Sequence, residues 1–275
     1  MDITKLDHDL AASEATVPNL RPDCEKRIVW AGAPGVKTPL VILNIHGFSA
    51  SPAELRPLPD LVAKELGANI YFARLTGHGQ DGDAMAAATF ADWTRDVAEA
   101  VKVAQLDADL IVNFQGDAPL TPPWFVEDLI AGMVSDASAQ MATPVLQCDP
   151  TTYAMFKEDR ANGRVGGTTV VFGDKGRAIY FSKEVLPFID PNKVPDADIP
   201  VYHHVGVYAY RPEALEAYIS WPECGLERLE GLEQLRFLYN NVAVKCVEVE
   251  ARGRLFWELN NPEDVARIEK VLAEQ

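Results

Sequence analysis

One carboxylate stands out for where it lies. In Asn113-Phe114-Gln115-Gly116-Asp117-Ala118-Pro119-Leu120, Asp117 follows Asp109–Phe114, an apolar run patterned like a strand buried on both faces. A carboxylate there loses hydration unless a cation or several donors meet it, and strand ends in open α/β sheets are where ligands bind. Asp117 is therefore the first candidate functional carboxylate, to be met by a cation or by several donors. Other polar clusters carry weaker signals. His203-His204 precedes an apolar run, where a histidine is usually structural, and Glu233-Gln234 could be the solvated face of an amphipathic helix over 230–239. Gly77-His78-Gly79-Gln80-Asp81-Gly82 formally matches a dinucleotide-binding loop, but Asp83-Ala84-Met85 does not read as a helix packed on the third glycine.

The elements that must position these residues read as α/β. Pro39–His46 is a continuous β-branched strand, 52–66 a helix, Asn69–Arg74 a second strand, and 89–104 a helix capped by Thr89 with Phe90, Trp93, Val97, Val101 and Ala104 at helical spacing. Right-handed crossovers put the 109–114 strand in the same parallel sheet. Thr168–Phe172 and Arg177–Phe181 flank Gly173-Asp174-Lys175-Gly176 as a hairpin, with 200–210 completing a small antiparallel lobe. The expected fold is α/β, three-layer, a mainly parallel sheet with helices on both faces. Residues 1–26 are polar and read as a loosely ordered arm, followed by segments 27–105 and 106–275 sharing one sheet.

Composition excludes several classes. A net charge of −16, from 41 acidic and 25 basic residues, argues against nucleic-acid binding. Cys24, Cys148, Cys224 and Cys246 are scattered, with neither disulfide nor zinc spacing. No run reaches membrane-spanning length and no signal peptide opens the chain, so a cytoplasmic location, with no membrane partner, is the default expectation.

Residues 38–104 resemble an α/β-hydrolase of the esterase type through His46-Gly47-Phe48, Gly77-His78-Gly79 and Phe90-Ala91-Asp92-Trp93. That family places a serine in a G-x-S-x-G elbow, and the chain has none; Gly47-Phe48-Ser49-Ala50-Ser51 lacks the final glycine. His46 and His78 accordingly read as loop residues.

From about 107 onward the chain resembles the 3-deoxy-manno-octulosonate (Kdo) cytidylyltransferases, or CMP-Kdo synthetases. The resemblance rests on Asn113–Leu120, Met141-Ala142-Thr143, Gly176–Ser182, His204–Arg211, Trp221-Pro222, Leu226-Glu227, Leu232–Arg236 and Asn260–Asp264, in family order. It implies transfer of a cytidylyl group from CTP to a Kdo-like sugar acid, with Mg²⁺ neutralising charge at the α-phosphate. Asp117 and Asn260 would then be metal positions and Gln115 part of the nucleotide and sugar site. His204, Tyr208, Glu233 and Gln234 would line the sugar pocket, and charge suggests Lys183 and Arg211 for its carboxylate. The chain departs from the pattern twice: Asn260 stands where the family has aspartate, and the I-P-A-R, P-G-K and S-G-T segments that hold CTP are replaced by hydrolase-like sequence. The chain reads as a chimera joined between about 104 and 107. Three functions stay open: a cytidylyltransferase with impaired CTP binding, a serine esterase without its elbow, or a non-catalytic fusion. A homodimer is left open as well.

Overall fold

The β-branched runs fold as strands where the pattern puts them. The computed structural model describes residues 2–47, 50–53, 56–107, 109–115, 118, 120–190, 192 and 199–273. In chain order the elements of the first part are α1 (Leu6–Glu14), β1 (Arg27–Val29), β2 (Leu40–Ile45), α2 (Leu58–Leu66), β3 (Asn69–Ala73), α3 (Gly82–Ala87), α4 (Phe90–Asp107) and β4 (Leu110–Gln115). There follow α5 (Pro123–Ser135), β5 (Met141–Gln147), α6 (Pro150–Ala161), β6 (Thr169–Phe172), β7 (Ala178–Ser182), β8 (Tyr202–His204) and β9 (Val207–Tyr210). The chain ends with α7 (Pro212–Ser220), α8 (Gly225–Glu230), α9 (Leu235–Tyr239), β10 (Val244–Val249) and α10 (Pro262–Ala273). Contacts divide it into two units, 1–116 with 209–219 and 117–208 with 220–275. The division falls after β4 rather than near 105, because β4 pairs along its whole length with β2.

In the first unit β2 runs parallel to both β3 and β4, and β1 adds antiparallel to β3. Val41, Ile42, Ile70, Phe72, Ile111 and Val112 are at most 1% exposed, as expected of strands covered on both faces. The Thr89 cap forms: its hydroxyl accepts from Asp92 N–H while its own N–H donates to the Asp92 carboxylate. Three local expectations give way. The helix expected over 52–66 starts only at Leu58, since proline tolerates no position beyond a helix's first turn and Pro57 stands just before it. A six-residue helix does follow Asp81, which caps it, yet a Cβ at Gly82 would meet nothing within 4 Å, so the close packing a dinucleotide fingerprint needs is absent. The N-terminal arm is polar but not loose. Its helix α1 buries Leu6 and Leu10, one turn apart, and the buried Glu14 takes a two-pronged bond from Arg74 at 2.7 and 2.9 Å.

In the second unit β5 pairs in parallel with β10 and antiparallel with β8, and β8, β6 and β7 form the expected antiparallel lobe. The hairpin turn ends at Gly176 with φ +70°, where a Cβ would lie 2.4 Å from the Cys246 carbonyl oxygen, so side chain and backbone both require glycine. The helix expected over 230–239 is instead two helices, α8 and α9, separated at Gly231, which takes the left-handed conformation that ends α8. Leu120, Phe156, Val201, Trp257 and Ile268 pack as one core cluster. All four cysteines are buried and unpaired, and burial pushes the Cys148 and Cys246 thiols up to about 12.

One carboxylate organises the C-terminal loop. Asp264, fully buried in the first turn of α10, accepts from Trp257 Nε1 (2.7 Å), Asn260 N (3.1 Å), Asn261 N (2.7 Å) and Arg267 Nη1 (3.0 Å). Arg267 also reaches Asp159 of α6, which Arg164 clasps through two nitrogens. Asp264→Ala strands several buried donors, and we expect a loss of about 2–4 kcal/mol in urea denaturation. The neighbouring exposed Glu263→Gln should change stability by under about 0.5 kcal/mol. Equal midpoints for the two variants would show that Asp264 does not hold the loop.

Candidate active site

Strand β7, strand β8 and the turn between α8 and α9 bring several of the expected residues together. Glu230, the last residue of α8, accepts from Ser182 Oγ (2.8 Å), Tyr180 OH (3.3 Å) and the Lys183 backbone N–H (2.9 Å), which fixes the end of β7 beneath that turn. Phe181 of β7 lies edge-on to the His204 ring at 5.3 Å, and Tyr208 stands 5.4 Å from the same ring. Helix α9 packs on β7, and Gln234 immediately precedes it. Gln234 is fully buried and, among the described residues, has no hydrogen-bond partner on either amide atom, and His204 Nε2 is likewise buried without one. Buried polar atoms are nearly always bonded, and although Asn44, Asn113 and His203 among others also carry unpartnered ones, those on Gln234 and His204 mark positions where a polar ligand or solvent fits. Burial drives the His204 imidazole down to about 4, leaving it neutral near pH 7. Glu233 is half-buried beside Gln234.

A second group sits on the loop after β10. Asn260 donates from Nδ2 to Glu258 Oε2 at 3.3 Å, which leaves its carbonyl oxygen as the donor a cation could use. Glu258 lies 3.7 Å from His203 Nε2, and both are buried. Burial works to raise the Glu258 carboxyl, but His203, His204 and Asn260 outweigh it and hold it below the ordinary value. Neighbouring strand residues point to opposite faces. His203 therefore enters the aromatic group Phe156, Phe256 and Trp257 while His204 faces Phe181 and Tyr208.

Sequence reasoning missed Glu230 and Glu258. Neither lies in a pattern of its own, and each acquires its role from a partner more than forty residues away, Ser182 for one and His203 for the other. Asp117 lies outside the described residues; Gln115 closes β4, but its side chain is outside them too. Arg211 belongs to the stretch grouped with the first unit. Among the described residues no three His, Cys, Asp or Glu side chains cluster as a metal site, and no helix is long and apolar enough to cross a membrane.

In the first unit His46 is held by the loops on either side of it. His46 Nε2 accepts from Leu75 N–H at 3.1 Å and Nδ1 bonds the Gly47 carbonyl at 3.0 Å, so neither nitrogen remains for proton transfer. Its ring lies 4.5 Å from that of His78, and Trp93 and Asp96 both anchor Thr76 of the same loop. Burial lowers His46, too, to about 4.

Both depressed imidazoles carry a pH signature. Between pH 6.5 and about 4 the unfolded chain binds protons that folded His46 and His204 refuse. Their contribution to stability is complete above pH 6.5 and lost as the pH falls towards 4. Unfolding free energies from urea titrations should therefore rise between pH 4 and 6.5, and less steeply in His204→Gln; identical slopes would mean His204 does not titrate as its burial requires.

Comparisons with known proteins bear on the same residues. A family model described as cytidylyltransferase matches residues 85–248, more than half of the chain and beginning upstream of the expected junction near 107. The 3-deoxy-manno-octulosonate cytidylyltransferase of Maricaulis maris is 42% identical over 180 residues, covering 66% of this chain and 68% of that protein. Its namesake from Syntrophotalea carbinolica is 34% identical over 171 residues, 60% of this chain and 64% of that one. The chain thus spans about two thirds of the length of these relatives. In fold, a solved CMP:2-keto-3-deoxy-manno-octonic acid synthetase complexed with CTP superposes with a TM-score of 0.57 at 20% identity, covering 86% of this chain and 98% of that one. By sequence over its larger part, the chain belongs to the 3-deoxy-manno-octulosonate cytidylyltransferase family.

Proposed function

We propose that the chain transfers a cytidylyl group from CTP to 3-deoxy-manno-octulosonate, releasing pyrophosphate. The observation that carries the reading is the fully buried, unpartnered carboxamide of Gln234 together with the unpartnered Nε2 of His204. A ligand rich in hydroxyls, each both donor and acceptor, suits such atoms better than an apolar ligand would. His204 stays neutral and can offer or accept one hydrogen bond without adding charge. In the reaction a sugar oxygen bonds to the α-phosphorus, the bond to the β-phosphate oxygen breaks, and the hydroxyl proton passes to solvent.

The donor chemistry of Asn260 fits a magnesium ion, since a hard carbonyl oxygen is left once its nitrogen is committed to Glu258. Asp117 and Asn260 would hold the ion, which would neutralise charge on the transferring phosphate. One carboxylate and one carboxamide neutralise it less completely than two carboxylates would. Asp117→Asn should abolish CMP-sugar formation, and Asn260→Asp should move half-maximal activity to lower Mg²⁺. The measurement is pyrophosphate release from CTP and the sugar acid across a Mg²⁺ titration; a wild type inactive throughout, with no gain in Asn260→Asp, would defeat the transferase reading.

The hydrolase-like segment then serves as scaffold, its family CTP-binding segments replaced and catalysis impaired accordingly. His46 has both nitrogens engaged and the sequence holds no nucleophile elbow. Fluorophosphonate probes should leave the protein unlabelled; stoichiometric labelling of Ser49 would instead make it an esterase.

A further inference from the structure

We propose that Arg252 and Arg254, stacked against Trp124, form a polyphosphate-binding site; that its ligand is the triphosphate of CTP and the pyrophosphate released from it rests on the transferase reading above. Trp124 stands half-buried in the first turn of α5, and its indole N–H donates to the Glu250 carbonyl at 2.9 Å. The two guanidiniums lie 4.8 and 5.1 Å from the centroid of that one ring. Stacking occupies the face of a guanidinium and leaves its N–H edges free, and those edges match pairs of phosphate oxygens. Both arginines are exposed, and among the described residues neither side chain donates a hydrogen bond or makes a salt bridge. Glu250, two residues before Arg252, pairs with neither. Two like charges are thus held beside one ring with no carboxylate bound to either, a repulsion that a ligand of two or more negative charges relieves.

The backbone holds this arrangement against its own preference. Arg254 N–H donates to the Ala251 carbonyl at 3.0 Å, and Arg252 and Gly253 between them have φ +51° and +80°. That is the pattern of a type I′ turn, whose first central position ordinarily holds asparagine or glycine. A Cβ at Gly253 would meet nothing within 4 Å, so that glycine serves the turn alone. Arginine at 252 does not favour the turn; what it brings there is a charge and a plane that stacks. The loop that begins with these arginines ends at Asn260, the proposed metal position, and both ends are pinned, by Trp124 at the start and by Asp264 at the finish. All of these residues belong to the second unit. The proposed reaction takes in a triphosphate and releases pyrophosphate, and in a chain of net charge −16 both need local cations.

The test is calorimetric binding of pyrophosphate to the full chain without added Mg²⁺, alongside steady-state KM values for CTP and for 3-deoxy-manno-octulosonate. Arg252→Asn suits the turn better than arginine while removing the charge, and Arg254→Gln keeps a polar side chain without it. Each should weaken pyrophosphate binding roughly tenfold and raise the CTP KM by a similar factor, the loss expected for a charge-assisted bond. The sugar-acid KM should not change, and neither variant should lower the urea midpoint. Arg228→Gln, which removes an exposed arginine paired with Glu223 in the same unit, should bind pyrophosphate as wild type does. The inference is overturned if wild type binds no pyrophosphate, if Arg228→Gln weakens binding as much as the other two, or if those two lose stability and keep the affinity. If wild type turns over and the variants keep its CTP KM and pyrophosphate affinity, the site falls and the transferase reading stands. If pyrophosphate binds through the two arginines but no CMP-sugar forms, the polyphosphate site stands and the transferase reading falls.

Discussion

The Asp264 carboxylate is the fixed point from which the C-terminal part of the molecule can be traced. It gathers two backbone amides, an indole and a guanidinium, and through Arg267 it is tied to Asp159 on α6. Two acids and two arginines at that junction balance one another, so burial leaves no charge unmatched. The loop so held carries Asn260 and Glu258; Glu258 faces His203, and His203 shares a strand with His204. Loop and strand are thus linked by neighbouring contacts, each set by the one before.

Acidity imposes the second constraint. Both proposed substrates are anions, and the chain carries sixteen surplus negative charges. Long-range attraction does not gather such ligands, so their recognition has to come from local groups, such as the neutral imidazole of His204 and the carboxamide of Gln234. Several basic side chains are already paired with acids, Arg74 with Glu14, Arg236 with Glu227 and Arg177 with Asp136 among them.

Much of the fold was legible because its signals are local. Continuous apolar runs gave β2, β3 and β4, a Gly- and Asp-rich turn gave the β6–β7 hairpin, and Thr89 marked the start of α4. Where the reading failed, one residue or one distant partner decided. Pro57 delays α2, Gly231 divides the helix expected over 230–239, and α1 is ordered by an arginine sixty residues away. Within the site, His204, Tyr208 and Gln234 were named from family resemblance and Lys183 from its charge, and they lie about β7, β8 and the turn between α8 and α9. Asp117 falls outside the described residues and Arg211 in the other unit's stretch, so neither joins that group on the geometry given. Glu230 and Glu258 left no trace in local pattern, since each acts across a sequence separation that no periodicity encodes.

The buried cysteines make the molecule its own reporter of opening. Each thiol is shielded, Cys24 in the first unit and Cys148, Cys224 and Cys246 in the second, and two are further suppressed by a pKa near 12. An alkylating reagent can therefore react only when local structure gives way. Which cysteine is modified first, followed by mass spectrometry, would rank the units by their tendency to open, without a probe being introduced and without reference to catalysis.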